Sequence, residues 1–499
     1  MDWTKCLLAL VAFAIIAYKY LKRVHSHWKK QNVPFVPDPI PLFGHMLPTI
    51  IVKENIIDFV DRAYKNFNTS MVGFFFMQQP GIILRDPDLV KSVLQTNFSS
   101  FNSNVMSLSE KHDPVLAKNP FFTRDPHLWR PRRNKVSNNL TGKKLKLLSV
   151  IIQEVCNKMT VFVDRKIQEN NGQYECELKA YFLRYTGEVV ANSAFAIEGE
   201  SFEDNPNKLS FTKVSKTLLQ PSFINGLKQA LIFYVPMVAE FFGLSFLDKR
   251  TDIYMRENIK TILKKRQQAG DAPNDYLKFC SEFNSELDDI LAEIFNFYID
   301  VYETSSTILA NICHCLAQNQ EIQAQLRDHI TSALKDNEET ISYDSLKNMN
   351  YLDQVVYEGL RQLPPLAVQM KYCNEAISLT GPDGLTCHLE PGNPVFIPVR
   401  RLHLDDKYWP NPNVFDPLRF SVENQANNNK YAFLAFGEGP RMCVGMRLGL
   451  LLVKHAIATL LLKYSIEPSA KTKVPLEIEP SSLLLSFKGG LWCKFKLQN

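Results

Sequence analysis

The segment Phe436-Gly437-Glu438-Gly439-Pro440-Arg441-Met442-Cys443-Val444-Gly445 carries the clearest chemical signal in the chain. Its three glycines allow the backbone to approach a flat ligand closely. An apolar helix is predicted directly after Cys443, so the thiol would open that helix, where the dipole and free N–H groups favour a thiolate. Arg441 can neutralise a nearby anion. A buried thiolate of this kind suits a soft iron ligand, and the alternative is an ordinary free cysteine in a glycine-rich turn.

Together these residues match the F-x-x-G-x-R-x-C-x-G signature at every fixed position, and the segment resembles that of the cytochrome P-450 superfamily. The resemblance implies a mainly α fold with a minor β portion, in one large catalytic domain. It implies haem b as the cofactor and Cys443 as its axial thiolate, which favours O–O bond cleavage. It therefore predicts a haem-thiolate monooxygenase.

Two further motifs extend the resemblance over almost the whole chain. Glu358-Gly359-Leu360-Arg361 looks like the family's E-x-x-R helix, and its two charged residues lie one turn apart on the same face. Phe415-Asp416-Pro417-Leu418-Arg419-Phe420 resembles the later P-x-R-F element. By this resemblance Glu358, Arg361 and Arg419 form a buried structural network.

Several basic and aromatic residues are similar to those that hold the haem in the family. Trp129-Arg130-Pro131-Arg132-Arg133 resembles the W-x-x-x-R helix, in which Trp129 and Arg133 would contact the haem propionates. The arginine fork suits carboxylates. The resemblance adds Arg441, Phe436 and Lys371, the last at a position where related members carry arginine. The alternative for the first motif is an exposed basic turn, and a proline inside it is unusual.

The oxygen-activating helix should include Asp300-Val301-Tyr302-Glu303-Thr304. By resemblance Glu303 and Thr304 form the acid–alcohol pair that delivers protons. Asp300 and Val301 replace the usual alanine and glycine, so we assign both to substrate binding. Asp300 lies one turn before Thr304 on the same face, and burial without a partner would be costly for its carboxylate. It should therefore be protonated, paired or hydrated. One reading is a pair with a neighbouring basic or hydroxyl group, or an added proton relay beside Glu303, and the more specific hypothesis is that Asp300 binds a cationic amine.

Shorter strings resemble insect microsomal members, which are related to the mammalian drug-metabolising branch. These strings are Tyr302 to Ser306, Thr141 to Lys146, Tyr408 to Pro412 and Gly489 to Trp492. The resemblance implies oxidation of small apolar xenobiotics, with electrons from NADPH through cytochrome P-450 reductase and cytochrome b5 as a further partner. A basic face for the acidic reductase is predicted, with an ordinary solvated surface as the alternative; it comprises Arg130, Arg132, Arg133, Lys135, Lys143, Lys144, Arg447 and Lys454.

Composition excludes several other classes of protein. The net charge of +5 over 499 residues is too weak to indicate nucleic-acid binding. The cysteines are scattered without C-x-x-C pairs, which argues against a disulfide scaffold. Cys313-His314-Cys315 lacks a second ligand pair, so a buried helix is favoured over a zinc site.

The N-terminus predicts a membrane anchor. Residues 7–18 are apolar and basic residues follow, which favours a transmembrane segment over a cleavable signal peptide and keeps the body in the cytosol. We therefore divide the chain into an anchor (1–22), a basic and proline-rich hinge (23–44) and a haem-thiolate catalytic domain (45–499). The predicted location is the cytosolic face of the endoplasmic reticulum membrane.

The elements that must position these residues are mostly helices. Neither proline nor glycine occurs from Asn274 to Glu358, which predicts consecutive long helices. Short apolar runs such as Val395 to Ile397 predict strands, and a helix is predicted over about Met446 to Lys463.

Two other functions remain open from the sequence. Val301 leaves room for a haem-thiolate isomerase or dehydratase that needs no oxygen. A non-catalytic haem- and ligand-binding membrane protein is the other alternative, although Thr304 and the basic face favour the monooxygenase.

Overall fold

The computed structural model describes residues 22–195, 197–204, 221–270, 272–283, 286–335, 340–426 and 428–498, with residues 3, 7, 8, 19 and 20. The predicted anchor, 1–22, lies almost entirely outside these ranges. Within them, no helix combines the length and the apolar character needed to cross a bilayer.

Helices form most of the described chain, as the sequence predicts. The first group is α1 (His27–Lys30), α2 (Leu47–Ile50), α3 (Ile56–Asn66), α4 (Pro87–Lys91), α5 (Pro126–Asn139), α6 (Gly142–Glu169), α7 (Leu178–Ala194), α8 (Phe223–Tyr234) and α9 (Pro236–Phe241). The second group is α10 (Lys249–Ala269), α11 (Tyr276–Phe283), α12 (Leu287–Gln318), α13 (Gln320–Lys335), α14 (Asn350–Gln362), α15 (Val399–His403), α16 (Val422–Gln425) and α17 (Met446–Lys463). The long helices after Asn274 and the helix over Met446 to Lys463 are confirmed.

Three small sheets complete the fold. Their strands are β1 (Met71–Phe76), β2 (Gln79–Leu84), β3 (Ser103–Asn104), β4 (Gln173–Glu177), β5 (Gln369–Tyr372), β6 (Ile377–Thr380), β7 (Thr386–Leu389), β8 (Pro394–Ile397), β9 (Tyr464–Pro468) and β10 (Trp492–Leu497). The described strands pair in the orders β1-β2-β8-β5-β3, β4-β10-β9 and β6-β7. Strands β2 and β8 run parallel, so Ile83 lies opposite Phe396 in the middle of the largest sheet. The predicted mainly α class with a minor β portion is confirmed.

Helix α12 runs through the centre of the molecule. Almost every side chain from Ile290 to Ala317 is buried, including polar ones such as Asn311. A helix that is apolar on several faces reaches this position because it has no face that favours water. It packs against α7, α14 and α17, and it therefore carries Asp300 to Thr304 into the interior.

The proline-rich hinge packs against the largest sheet and is hydrogen-bonded to it. Val36 donates its backbone N–H to the carbonyl of Gly73 at 2.9 Å, and Gly73 donates to Pro34 at 2.7 Å. Just before it, Trp28 is fully buried and its indole N–H donates to the Phe74 carbonyl at 2.9 Å. A Cβ on Gly73 would lie 2.6 Å from the Trp28 ring, so the glycine makes room for the indole.

Candidate haem-thiolate site

The loop before α17 holds Cys443 by backbone hydrogen bonds. The Cys443 N–H donates to the Phe436 carbonyl at 2.8 Å, and Met442 donates to Gly439 at 3.1 Å. Gly439 has φ +75°, and a Cβ there would lie 2.0 Å from the Leu94 carbonyl oxygen. This position therefore requires glycine, because any side chain would push the loop off the segment that supports it.

The side chain of Cys443 faces a space inside the protein. It is exposed, whereas the other described cysteines are buried, yet protein surrounds it closely. Helix α17 begins at Met446, so the expectation that Cys443 opens this helix is wrong. Burial raises the pKa of the Cys443 thiol to about 11, against the lowering effect of the Gly445 N–H. The Gly445 N–H therefore offsets only part of the effect of burial on this thiol.

Three cations surround the same space. Arg441 stacks on the Trp129 ring, with 4.7 Å between the guanidinium carbon and the ring centroid. Burial and the nearby Arg133 lower the pKa of Arg441 to about 10. Burial lowers the pKa of Arg133 as well, and the side chain is close enough to Cys443 for an electrostatic effect. Lys371 is buried, and burial together with Arg441 lowers its pKa to about 7.

Some N–H groups of these side chains have no hydrogen-bond acceptor among the described residues. Arg441 donates one N–H to the Thr123 carbonyl at 2.7 Å, but its buried Nε and Nη1 have no acceptor among the described residues. Lys371 donates to the amide oxygen of Asn104 at 2.7 Å. No carboxylate in the described ranges forms an ion pair with Arg133, Lys371 or Arg441. A dianionic ligand such as haem, with its two propionates, fits these unpaired donors, and its iron provides the cation that a thiolate requires.

Helix α5 carries Trp129 and Arg133 and is continuous through Pro131. The proline removes one N–H from the helix but does not end it, since Trp129 is buried on one side and Asp125 caps the N-terminus by accepting from His127. The exposed-turn alternative for this motif is therefore not what the structure contains.

Asp300 of α12 lies close enough to Cys443 for an electrostatic interaction, and Thr304 follows it one helical turn later. Asp300 acts electrostatically on Cys443, and its side chain is exposed although protein surrounds it on all sides. The Thr304 hydroxyl donates to the Asp300 carbonyl one turn earlier. Val301 is 7% exposed. The helix therefore brings the Asp300 carboxyl near the cysteine, with the Thr304 hydroxyl one turn beyond it.

Asn119 is the partner of Asp300, and no pattern in the sequence pointed to it. Its amide N–H group lies 3.2 Å from each Asp300 oxygen, and its own oxygen accepts from the Phe121 N–H at 2.7 Å. Burial raises the pKa of Asp300 to about 7, against the lowering effect of Asn119. No cation among the described residues pairs with this carboxyl.

Glu303 is turned away from this arrangement. Its carboxylate pairs with Lys179 of α7 at 2.8 Å, and both side chains are largely buried. The acid that resemblance assigns to proton delivery is therefore engaged in an ion pair on a neighbouring helix.

Glu358 and Arg361 form a fully buried pair in α14. Arg361 donates from Nε and Nη2 to the two Glu358 oxygens at 2.7 and 2.8 Å, and both side chains are 0% exposed. Arg419 lies 3.6 Å from Glu358 and donates to the Asn411 carbonyl at 2.9 Å. The structure thus brings together the three residues that the motifs suggested.

His403 links this pair to the segment before the cysteine loop, and no sequence motif predicted this contact. Its Nδ1 lies 3.0 Å from the Arg361 carbonyl, and its Nε2 accepts from the Leu434 N–H at 2.7 Å. Burial lowers the pKa of His403 to about 3, so the ring is neutral and has one donor and one acceptor. The two contacts require the tautomer in which Nδ1 carries the proton and donates to the Arg361 carbonyl, while Nε2 accepts.

The predicted basic face is only partly available. Lys454 is buried and pairs with Asp353 at 2.8 Å, so its inclusion in that face is wrong. The apolar positions around it on α17 draw the lysine stem inward with them. Arg130, Lys143 and Arg447 are exposed.

The aromatic residues from Phe223 to Phe242 differ in burial. Phe233 is buried in the core, whereas Phe223, Phe241 and Phe242 are 61%, 84% and 68% exposed. A cleft of about 590 Å³ lies beside α8. Its apolar lining includes Met106, Phe233, Val368 and Leu483, together with Met370, which precedes Lys371 on β5.

Comparisons with known proteins agree with this geometry. The family model described as "Cytochrome P450" matches residues 34–493. Cytochrome P450 6j1 of Blattella germanica is 30% identical over 97% of this chain and 95% of its own length. Cytochrome P450 9e2 of the same species is 29% identical over 98% and 97%, and probable cytochrome P450 9f2 of Drosophila melanogaster is 29% identical over 100% of both chains. The chain therefore belongs to the cytochrome P450 family of haem-thiolate monooxygenases, which use haem b with a cysteine thiolate ligand.

Proposed function

We propose that this protein is a monooxygenase of the endoplasmic reticulum membrane that takes electrons from NADPH through cytochrome P450 reductase. It inserts one oxygen atom into a small apolar molecule, so that substrate, O2, NADPH and a proton give hydroxylated product, NADP+ and water. The observation that carries the proposal is the enclosed Cys443, with Arg133, Lys371 and Arg441 on one side and Asp300 and Thr304 on the other.

Each group in this arrangement has a separate role. Cys443 would ligate the haem iron, Trp129, Arg133, Lys371 and Arg441 would hold the propionates, and Phe436 would contribute to the haem site. Thr304 gives the pocket a hydroxyl that can pass a proton, whereas Glu303, the acid of the pair by resemblance, is held by Lys179 of α7. The buried network of Glu358, Arg361 and Arg419 keeps the cysteine loop in place.

Ligation is tested with Cys443→Ser. Only a thiolate opposite carbon monoxide shifts the reduced Soret band to long wavelength, so the variant should lose that band. Retention of the band would overturn the assignment of Cys443. Cys373, which is buried, provides a matched control, since Cys373→Ser should leave the band unchanged.

The reaction class is tested by turnover with purified reductase and NADPH on a panel of small apolar and amine substrates. A monooxygenase forms product only with reductase, NADPH and O2 present. Product without reductase would instead identify an isomerase or dehydratase. Spectral binding of substrates with no product under either condition would identify a binding protein.

Asp300 supports a cationic amine as the substrate class. Its carboxyl faces the interior space, has only the Asn119 amide as partner among the described residues, and has no cation beside it. An ammonium group would supply that countercharge, and a charge-assisted hydrogen bond contributes about 1.5–3 kcal/mol. Val301 narrows the same face of α12 and favours small or flat molecules.

The amine hypothesis is tested by binding rather than turnover. At pH 8, where a carboxyl with a pKa of about 7 is ionised, Asp300→Asn should weaken an amine by about 10- to 100-fold. A neutral analogue of the same shape should bind the variant and the parent equally. Equal weakening of both molecules would refute the hypothesis.

A further inference from the structure

A row of polar side chains follows one face of the central helix from the surface to the pocket. Asp289, Glu293, Asn296 and Asp300 recur every three or four residues along α12, so they lie within a narrow arc of its surface. The row spans about 16 Å along the axis. Most other side chains of this helix are apolar.

The outer end of the row reaches solvent. Asp289 is 35% exposed and lies 2.9 Å from both Lys118 and Lys135. Hydrogen bonds from these lysines lower the pKa of Asp289, so it stays ionised at the surface. The inner end is Asp300, which faces the pocket.

Glu293 lies between the two ends of the row, and Tyr276 of α11 lies near it. Glu293 is 5% exposed and accepts a hydrogen bond from the Asn139 amide of α5. Tyr276 of α11 is buried close enough to both Glu293 and Asp300 to interact with each electrostatically. The two carboxyls are thus parts of one polar strip between α5, α11 and α12.

Asn296 is the observation that points to water in this strip. It is 4% exposed, and its amide oxygen has no hydrogen-bond donor among the described residues. A buried polar atom without a protein partner is normally satisfied by an ordered water molecule. A water at this oxygen would lie between Glu293 and Asp300, where neither carboxyl can reach the other directly.

We propose that Glu293, water bound at Asn296 and Asp300 form a proton path from the surface at Asp289 to the pocket. Each proton that Asp300 releases into the pocket is replaced by one that enters from solvent, and no electron moves. The path supplies a second source of protons to Thr304, one turn beyond Asp300, because Glu303 is engaged with Lys179. It goes beyond the amine hypothesis, since it requires no substrate.

The test follows the carboxyl proton itself in the resting, haem-loaded protein. At pH 6 the Asp300 carboxyl is protonated, and its infrared C=O band is identified as the one that Asp300→Asn removes. The pocket is filled with 4-phenylimidazole, so exchange with D2O must pass through the protein. Asn296→Leu and Glu293→Gln should each slow deuteration of this band at least tenfold.

Thr307→Val is the matched control. Thr307 is on the same helix, is 1% exposed and also has an unpartnered oxygen, but it lies beyond the pocket end of the row. Its deuteration rate should equal that of the parent. Parental rates in Asn296→Leu and Glu293→Gln would overturn the path, as would equal slowing in Thr307→Val. Because no substrate is present, failure here leaves the amine and turnover tests unaffected.

Discussion

Replacement of Arg361 gives the sharpest test of the buried network behind the cysteine loop. Arg361 makes two hydrogen bonds to Glu358 and further bonds of 2.7 Å to the carbonyls of His403 and Pro412. Arg361→Met removes all of them at once. The Glu358 carboxylate then retains only the Asp416 N–H at 2.9 Å and the more distant Arg419.

The magnitude follows from what remains unpaired. Breaking a fully buried ion pair by removing one partner costs about 3–5 kcal/mol, and each orphaned carbonyl adds about 1–3 kcal/mol. Burial raises the pKa of Glu358 even beside Arg361, which shows that desolvation of this carboxylate is substantial. The total is comparable with the entire stability of a typical domain, about 5–15 kcal/mol. Arg361→Met should therefore fail to accumulate as haem-loaded protein.

A milder series makes the free energies measurable. Arg361→Lys keeps the charge, and Glu358→Gln keeps the shape, and each should lower the free energy of unfolding by about 2–4 kcal/mol. The double variant should lose at least 1 kcal/mol less than the sum of the two, because both single changes break the same ion pair and its loss is counted twice in the sum. Urea unfolding followed by the Soret band measures all three.

An exposed ion pair gives the control. Arg256 and Asp252 lie 2.9 Å apart on α10 and are 22% and 31% exposed, so Asp252→Asn should cost less than about 1 kcal/mol. Losses at Arg361 and Glu358 as small as this, or strictly additive ones, would refute the argument.

Three further predictions concern other parts of the molecule. Burial lowers the pKa of His403 to about 3, so this histidine contributes stability that is present above its ordinary pKa of 6.5 and is lost as the pH falls toward 3. Urea titrations at pH 7, 6 and 5 should show that His403→Gln flattens this decline by up to about 1.36 kcal/mol per pH unit. The control His388→Gln, at an exposed position, should not flatten it. Asn119→Leu removes the hydrogen bonds that favour ionised Asp300, so infrared titration should place the carboxyl pKa further above about 7; a lower value would contradict the assignment. Asn68, Asn97 and Asn139 begin glycosylation sequons, and of these Asn68 is exposed and Asn139 is buried. A cytosolic body leaves all three unmodified, so a glycosidase-sensitive mass shift of protein from the native host would contradict that orientation.

The sequence predicted those features that depend on local pattern. The glycine-rich loop, the pair at Glu358 and Arg361 and the long helices after Asn274 are each readable within one short segment. The structure places Cys443 opposite Asp300 because α12 passes through the core, and the apolar character of that helix was also visible.

Features that depend on distant contacts were not predictable from sequence. Asn119 and Asp300 are far apart in the chain, and an asparagine in a loop carries no signal of its partner. The same holds for His403 between Arg361 and Leu434, and for Lys179 opposite Glu303. Lys454 was misplaced because a basic residue in an amphipathic pattern is usually solvated, whereas here its stem packs among the apolar positions of α17 and its ammonium group pairs with Asp353.

The packing of Trp28 on the sheet would limit how the body moves relative to the proposed membrane anchor. Residues 22–25 and His27–Lys30 are helical, so Trp28 lies only about 9 Å beyond Lys22 along the chain. A body fixed this close to an anchor at residues 1–22 would be held on a short tether, with little freedom to swing or rotate. The buried indole would then fix the orientation of the protein, and so determine which surface faces the lipid. A shortened version that begins after Trp28 would expose the Gly73 face of the sheet, so removal of the anchor for expression should stop before Ser26.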